Sequence, residues 1–340
     1  MGLSDLIAAL MFLGVVAYAL FGGADFGTGV WDLTAGTGES GSRVRAQIDR
    51  SLGPVWEANH VWLIYVLVFM WTAFPTAFVA IMNTLFIPWT LVALGIVLRG
   101  GAFAFRKFSA DYREAQLHGI VFAASSVITP FFLGMIAGAI ASGRVPLDRT
   151  GDVWASWTGP TSWVGGTLAV LTCSFLAGTF LAADASRSGR FELAELLGRR
   201  AWWVGLVTGA VAIVAAITLE LDAQRLASGL HGRGLPLIVI SAIAGAISLY
   251  RLHQHRWKRA RVGAVIAVGA IVVGWGVGQY PDILVDHAEI SEVIGARATQ
   301  VGLVIVFALA AVTAVPALVW LYILVNGERW TAPPDGASSG

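Results

Sequence analysis

Charge is what this sequence lacks most. Of 340 residues only 13% are Asp, Glu, Lys or Arg, while 57% are hydrophobic; a soluble domain carries roughly 25% charged residues. About half of the usual solvated surface is missing, so the chain reads as an integral membrane protein. The 22 basic and 21 acidic residues leave a net charge of +1. Near-neutrality excludes a nucleic-acid binder, which needs a basic surplus to neutralise phosphates, and the high hydrophobicity excludes a disordered chain. Cysteine is nearly absent: Cys173 stands alone inside an apolar run. A single thiol excludes a disulfide framework, a thiolate zinc site and an iron–sulfur site built by this chain alone. Any redox cofactor must be held by other residues or by another subunit. Long loops are also lacking. The longest, near residues 32–53, 142–160, 184–200 and 280–299, are too short for a soluble domain, so the chemistry is expected within the helices, at their edges or in a partner. The first apolar run has no basic stretch before it and no small-residue cleavage site after it, and is expected to be a retained helix rather than a signal peptide.

What the sequence does have is apolar runs of about 20 residues, enough to cross a hydrocarbon core about 30 Å thick. Nine transmembrane helices are expected, at roughly 5–31, 54–74, 77–103, 117–141, 161–183, 201–220, 234–250, 262–279 and 300–326. Together they form one all-α transmembrane domain over 1–330. The tail, 331–340, is rich in Pro, Gly and Ser and is expected to be disordered. Residues 39–50 have helical spacing and alternating charge, which predicts a short interfacial helix. The basic residues then orient the chain. Placing the ends after helices 1, 3, 5 and 7 and the C-terminus on one side collects 17 of the 22 Lys and Arg there. Basic residues stay cytoplasmic, so the N-terminus is expected outside and the C-terminus inside.

Ionisable groups within a span are costly and usually face a cavity or a partner. Asp25, Glu57 and Arg99 all fall at one depth, near the cytoplasmic ends of helices 1, 2 and 3. Two readings stand: an ion-pair cluster that pins three helices, or a carboxylate pair that admits protons from the cytoplasm, with Arg99 tuning its charge. Around Asp25 the sequence reads FGGADFGTGVWDL. Gly23 and Gly27 have the small-residue spacing that lets another backbone come close, for helix packing or for contact with a lipid or quinone. Asp32 follows as a solvated or capping residue.

The second cluster is GPVWEANHVWLI, residues 53–64. Pro54 suits a first helical turn, and Trp56 and Trp62 fit an interfacial aromatic belt. Glu57, Asn59 and His60 wrap polar groups around that turn. As a haem ligand His60 would usually need an opposing axial ligand, and no second intramembrane His stands opposite it. A hydrogen-bonding or proton-relay role and plain structural capping both stay open. RGGAFAFRKF, residues 99–108, carries Arg99 out of helix 3, with Arg106 and Lys107 placed to snorkel. The acidic segment with Asp282, Asp286, Glu289 and Glu292 reads as a solvated loop.

Together ADFGTGVWDL, GPVWEANHVWLI, RGGAFAFR and WGVGQYPDILV resemble subunit II of the bacterial cytochrome bd-type quinol oxidases. The resemblance implies two four-helix bundles plus one peripheral helix in the cytoplasmic (inner) membrane. It also implies a division of labour. Subunit I holds two b-type haems and a haem d, or a b-type variant of it, with the quinol site, while subunit II binds no cofactor alone, beyond a structural quinone in some members. Proton delivery is carried over to Asp25 and Glu57, with Asn59 and His60 holding the connecting waters. Glu57 replaces the family's common Asp, and His60 a frequent Gln. GGADFG, where many members have DGFDxG, points to a divergent branch, with a cyanide-insensitive type as the candidate. The implied partners are subunit I, quinol, membrane lipids and, in some complexes, a small accessory subunit; nucleic acid is not among them. The competing class is a proton- or cation-coupled secondary transporter, and a purely structural scaffold is a third.

Overall fold

The protein is described by a computed structural model over residues 2–52, 56–106 and 112–326. Pro54, Lys107 and the tail 331–340 lie outside the described residues, as do the side chains of Trp56, Glu57 and Arg106. The fold is all-α, as its apolar runs dictate, because in lipid a helix satisfies its own backbone hydrogen bonds. Among the described residues eight helices are long and apolar enough to cross a membrane, and a bent helix pair brings the total to nine.

The first span is α1 (Leu3–Ala17), a π-helical turn (Tyr18–Gly22) and α2 (Gly23–Leu33). The interfacial helix α3 (Gly38–Leu52) follows. It buries Val44 and Ile48, one turn apart, against the bundle and leaves its charged face outward. Next come α4 (Trp56–Ala73), α5 (Pro75–Thr84), α6 (Phe86–Arg106) and α7 (Tyr112–Ala141). The second half holds α8 (Pro160–Arg187), α9 (Phe191–Asp222), the short α10 (Gln224–His231), α11 (Leu235–His253) and α12 (Trp257–Gln279). A two-stranded hairpin, β1 (Asp282–Leu284) with β2 (Ala288–Glu289), and α13 (Ile290–Val293) lead into the last helix, α14 (Arg297–Asn326).

Boundaries differ from expectation most at α9, which begins at Phe191 rather than near 201, and within the run 77–103. The apolar run 77–103 is not one helix but α5 and α6, because Leu85 leaves helical geometry (φ −110°, ψ 29°). Pro75 opens α5 after Phe74 leaves the helical region (φ −128°, ψ 57°), since a following proline disfavours helical geometry. Pro88 then falls in the first turn of α6, where its missing N–H costs least. The described part of α4 and α5 meet at 119°, so α5 is a lateral segment and α6 is the third span.

Two apolar cores result. One is built from α1, α4, α5, α6 and α7, with Phe74, Leu85 and Met135 fully buried. The other is built mainly from α2, α8, α9, α11 and α12, around Leu176, Leu181, Leu197 and Trp257. Small residues join the two halves. A Cβ on Gly138 would meet the Ser162 backbone at 2.6 Å, and one on Gly134 would overlap the Gly165 carbonyl, so α7 and α8 touch backbone to backbone. The α14 helix lies at the periphery against α1 and α4, with Leu309 and Val312 turned outward.

The segment expected to be a solvated acidic loop is in part a packed hairpin. Ile283, Leu284, Ile290 and Val293 are buried, and so is Asp282, which accepts a 2.9 Å hydrogen bond from Arg225 Nε. Its apolar residues bring the segment down onto the bundle, and the arginine meets the buried carboxylate. At the same end Asp222 ties three elements: it pairs with Arg144 and accepts hydrogen bonds from the Thr161 backbone N–H and hydroxyl.

Candidate functional site

The intramembrane charges converge where α2, α6 and α7 meet. Asp25 is carried on the glycine-rich α2 and Arg99 on α6. Arg99 Nη2 lies 2.6 Å from Asp25 Oδ1, with the side chains 1% and 2% exposed. The guanidinium is fixed from every side. Its Nε donates to Ser126 Oγ at 2.9 Å, Nη2 also reaches the Asp25 carbonyl at 3.4 Å, and the Phe26 and Phe122 rings flank it at 4.9 and 5.0 Å. Two opposite charges so close in a dry interior stabilise each other strongly, and the flanking rings add cation–π attraction. The second carboxylate oxygen, Asp25 Oδ2, is buried without a hydrogen-bond partner among the described residues, although buried polar atoms nearly always have one.

The other predicted residues distribute around this pair. His60 on α4 faces the Tyr18 hydroxyl through Nδ1 at 3.5 Å, and its ring packs edge-on to Phe26 at 5.8 Å. The α4 helix is therefore brought beside the Asp25 segment through Phe26. Asn59 is half-buried one residue earlier in α4. Trp62 stacks on Phe21 at 6.5 Å and meets Tyr65 edge-on at 6.3 Å. Glu57 and Trp56 begin α4, but their side chains lie outside the described residues. Gly23 and Gly27 both face α8. A Cβ on Gly23 would sit 3.4 Å from Cys173 Sγ, and one on Gly27 would overlap the Cys173 carbonyl, so α8 packs against this face of α2, through a side chain at Gly23 and through backbone at Gly27.

Two features escaped sequence reasoning. Tyr18 is an ordinary aromatic in an apolar run, yet the π-helical turn beneath it buries its ring against Gly22, where a Cβ would come within 2.9 Å; such turns often mark functional sites, but no residue pattern announces one. Asp32, expected to be solvated or capping, is 5% exposed and accepts a 2.8 Å hydrogen bond from Arg45 Nε of α3. The folding of α3 back over α2 encloses it. No group of three or more His, Cys, Asp and Glu side chains is placed to hold a metal among the described residues.

Comparison with known proteins places this architecture. The family model described as cytochrome bd terminal oxidase subunit II matches residues 3–325. The chain is 29% identical over 171 residues to cytochrome bd ubiquinol oxidase subunit 2 of Bacillus subtilis (strain 168), covering 49% of this chain and 48% of that protein. A second protein of the same organism is 25% identical over 232 residues, covering 66% of this chain and 64% of its own length. The chain thus matches between about half and just under two thirds of the length of these curated relatives. Among solved structures, the bd oxidase from Geobacillus thermodenitrificans shares the fold. Its TM-score is 0.78 at 20% identity, over 96% of this chain and 99% of that one. A multi-pass protein of the bacterial inner membrane, this chain belongs to the cytochrome bd terminal oxidase subunit II family.

Proposed function

We propose that this chain is the haem-free subunit of a quinol:oxygen oxidoreductase complex. It partners a haem-bearing subunit I, stabilises it and helps to bring cytoplasmic protons to it. The observation that carries the reading is the buried Asp25–Arg99 pair, whose second carboxylate oxygen remains unsatisfied among the described residues. A scaffold would be served equally well by apolar residues of the same volume, whereas ionisable groups kept inside a membrane mark ion or proton routes. Arg99 positions Asp25 through Oδ1, which leaves Oδ2 open to a water or to a relayed proton.

Glu57, three residues before His60 on the helix that Phe26 touches, would exchange that proton. Asn59 and His60 would hold the connecting waters, and Tyr18 would orient His60 through its hydroxyl. Trp56 and Trp62 would seat the start of α4 at the lipid interface. The haems, when bound in the partner, would supply electron transfer from quinol and the reduction of oxygen to water. Taking those protons from the cytoplasmic side would build a proton-motive force without a pump. The coupled-transporter alternative is not favoured by the family membership.

Two measurements test this. The chain expressed alone should show no haem absorbance, and coexpression with a subunit I should yield a copurifying complex with b and d or d-like bands. In that complex Glu57→Gln should lower oxygen uptake while leaving haem content normal. Full turnover at normal haem content would remove Glu57 from the proton route, and loss of haem would assign it to assembly instead.

A further inference from the structure

The stretch from Arg251 to Arg261 holds five of the chain's basic residues, and no Asp or Glu occurs anywhere between Asp222 and Asp282. Topology alone asks for basic residues at this end of the bundle, but it does not ask for a cleft. Here there is one, shallow and largely open to the surroundings, of about 480 Å³ and lined by Ser186, His255, Arg256, Trp257, Lys258 and Arg259. It lies where the end of α8 meets the tight turn between α11 and α12.

The chain shapes this turn deliberately. His255 adopts a left-handed conformation (φ 57°), uncommon for a residue other than glycine, and its N–H bonds back to the Leu252 carbonyl at 3.1 Å. Trp257 is buried, and its ring occupies the place where a Gly198 side chain would be. Arg256, Lys258 and Arg259 are left exposed around it. Asp184, on the same end of α8 as Ser186, is already engaged by Arg187 at 3.5 Å and Arg261 at 3.2 Å. Among the described residues no ion pair reaches Arg256, Lys258 or Arg259. Beyond the cleft the surface becomes apolar: Val262 and Ile266, one turn apart on α12, are 58% and 48% exposed, with Ile247 and Tyr250 outward on α11.

From this we infer that the cleft between the end of α8 and the α11–α12 turn binds the phosphodiester headgroup of an anionic phospholipid, with Arg256, Lys258 and Arg259 as its counter-charges. The shared chemistry is a phosphate oxyanion. The lipid is the source because the cations open directly onto an apolar strip along α11 and α12 where acyl chains can lie, which a soluble phosphate would not use. Basic pockets at the cytoplasmic ends of membrane helices have the charge complementarity for such headgroups.

The test uses the full chain in phosphatidylcholine vesicles doped with a trace of photoactivatable phosphatidylglycerol or, in a parallel sample, photoactivatable phosphatidylcholine. Cross-linked peptides are mapped by mass spectrometry. The expected result is selective labelling of the segments containing Ser186 and residues 255–259 by phosphatidylglycerol. In single variants Arg256→Gln, Lys258→Gln and Arg259→Gln this labelling should weaken roughly fivefold per cation removed, while Lys258→Arg retains it. Equal labelling by the two lipids in the unaltered chain would overturn the proposal without reference to any variant. So would undiminished labelling in the Gln variants. Displacement of the label by millimolar inorganic phosphate would overturn the lipid assignment and indicate a soluble phosphate ligand.

Discussion

Asp25 and Arg99, 74 residues apart in sequence, form a 2.6 Å ion pair that is almost wholly enclosed by protein. A pair of this kind contributes little net stability when compared with apolar residues of the same shape. Removing one partner is a different matter, because it strands the other charge in a medium that cannot solvate it.

Arg99→Gln should therefore destabilise the protein by about 3–5 kcal/mol, and Asp25→Asn by a similar amount. The double variant, which leaves no unpaired charge, should recover a substantial part. Thermal unfolding in detergent measures all three. A double variant as unstable as the sum of the two singles would show that the pair is not the unit that matters.

Glycines in the spans should divide sharply by what they face. Gly27→Ala would drive a methyl group into the Cys173 carbonyl of α8, and overpacking of this kind costs about 1–3 kcal/mol or more. Gly101 on α6 has nothing within 4 Å of the corresponding position. Gly101→Ala should be neutral or stabilising by about 0.4–1 kcal/mol, through the entropy of the unfolded chain. Comparing the melting temperatures of the two variants checks the contrast, and equal losses would contradict the backbone contact between α2 and α8.

Asp152 in the turn before α8 supplies a pH-dependent element outside the membrane. The Ala155 N–H, at 2.7 Å, and the Trp154 N–H, at 2.9 Å, donate to its Oδ1 and hold its carboxyl below the usual carboxylate range. A group whose pKa is lowered by folding stabilises the fold above its unfolded value and loses that contribution as pH falls through the lowered folded value. Acidification through the carboxylate range should thus loosen this turn. Hydrogen exchange of the Trp154 and Ala155 amides, corrected for intrinsic rates, should accelerate on acidification in the unaltered chain. Asp152→Asn keeps an acceptor without the titration and should abolish that dependence.

Much of this is legible in the sequence. Apolar runs announce helices because lipid offers the backbone no alternative partner, and the scarcity of charge makes each intramembrane ion conspicuous. Asp25 and Arg99 were singled out on that ground, and their meeting follows from helices of similar length bringing equal depths together. The break at Leu85 was harder to read. The residues around Leu85 look compatible with a span, and the local signal is Pro88, placed where a new helix begins. Tyr18 gave no signal at all, since its importance comes from a π-helical turn and from what packs across it. The partners of Asp32 and Asp282 were equally hidden. Both acids sit at span edges, where exposure is the ordinary expectation, and only the return of α3 and the docking of the hairpin enclose them.

The sequence by itself determined that this is a membrane-embedded all-α protein, which few ionisable groups are worth explaining, and which family's motifs it carries. Those properties depend on local composition and on transfer of side chains into lipid, which each segment expresses independently of its neighbours. Tertiary structure alone decided that Arg99 pairs with Asp25 through one carboxylate oxygen, that α8 rather than lipid covers Gly27, and that the basic turn before α12 borders a shallow, open cleft. Each of these depends on which helix faces place their atoms within a few ångströms of one another, and that is a property of packing between segments distant in the chain.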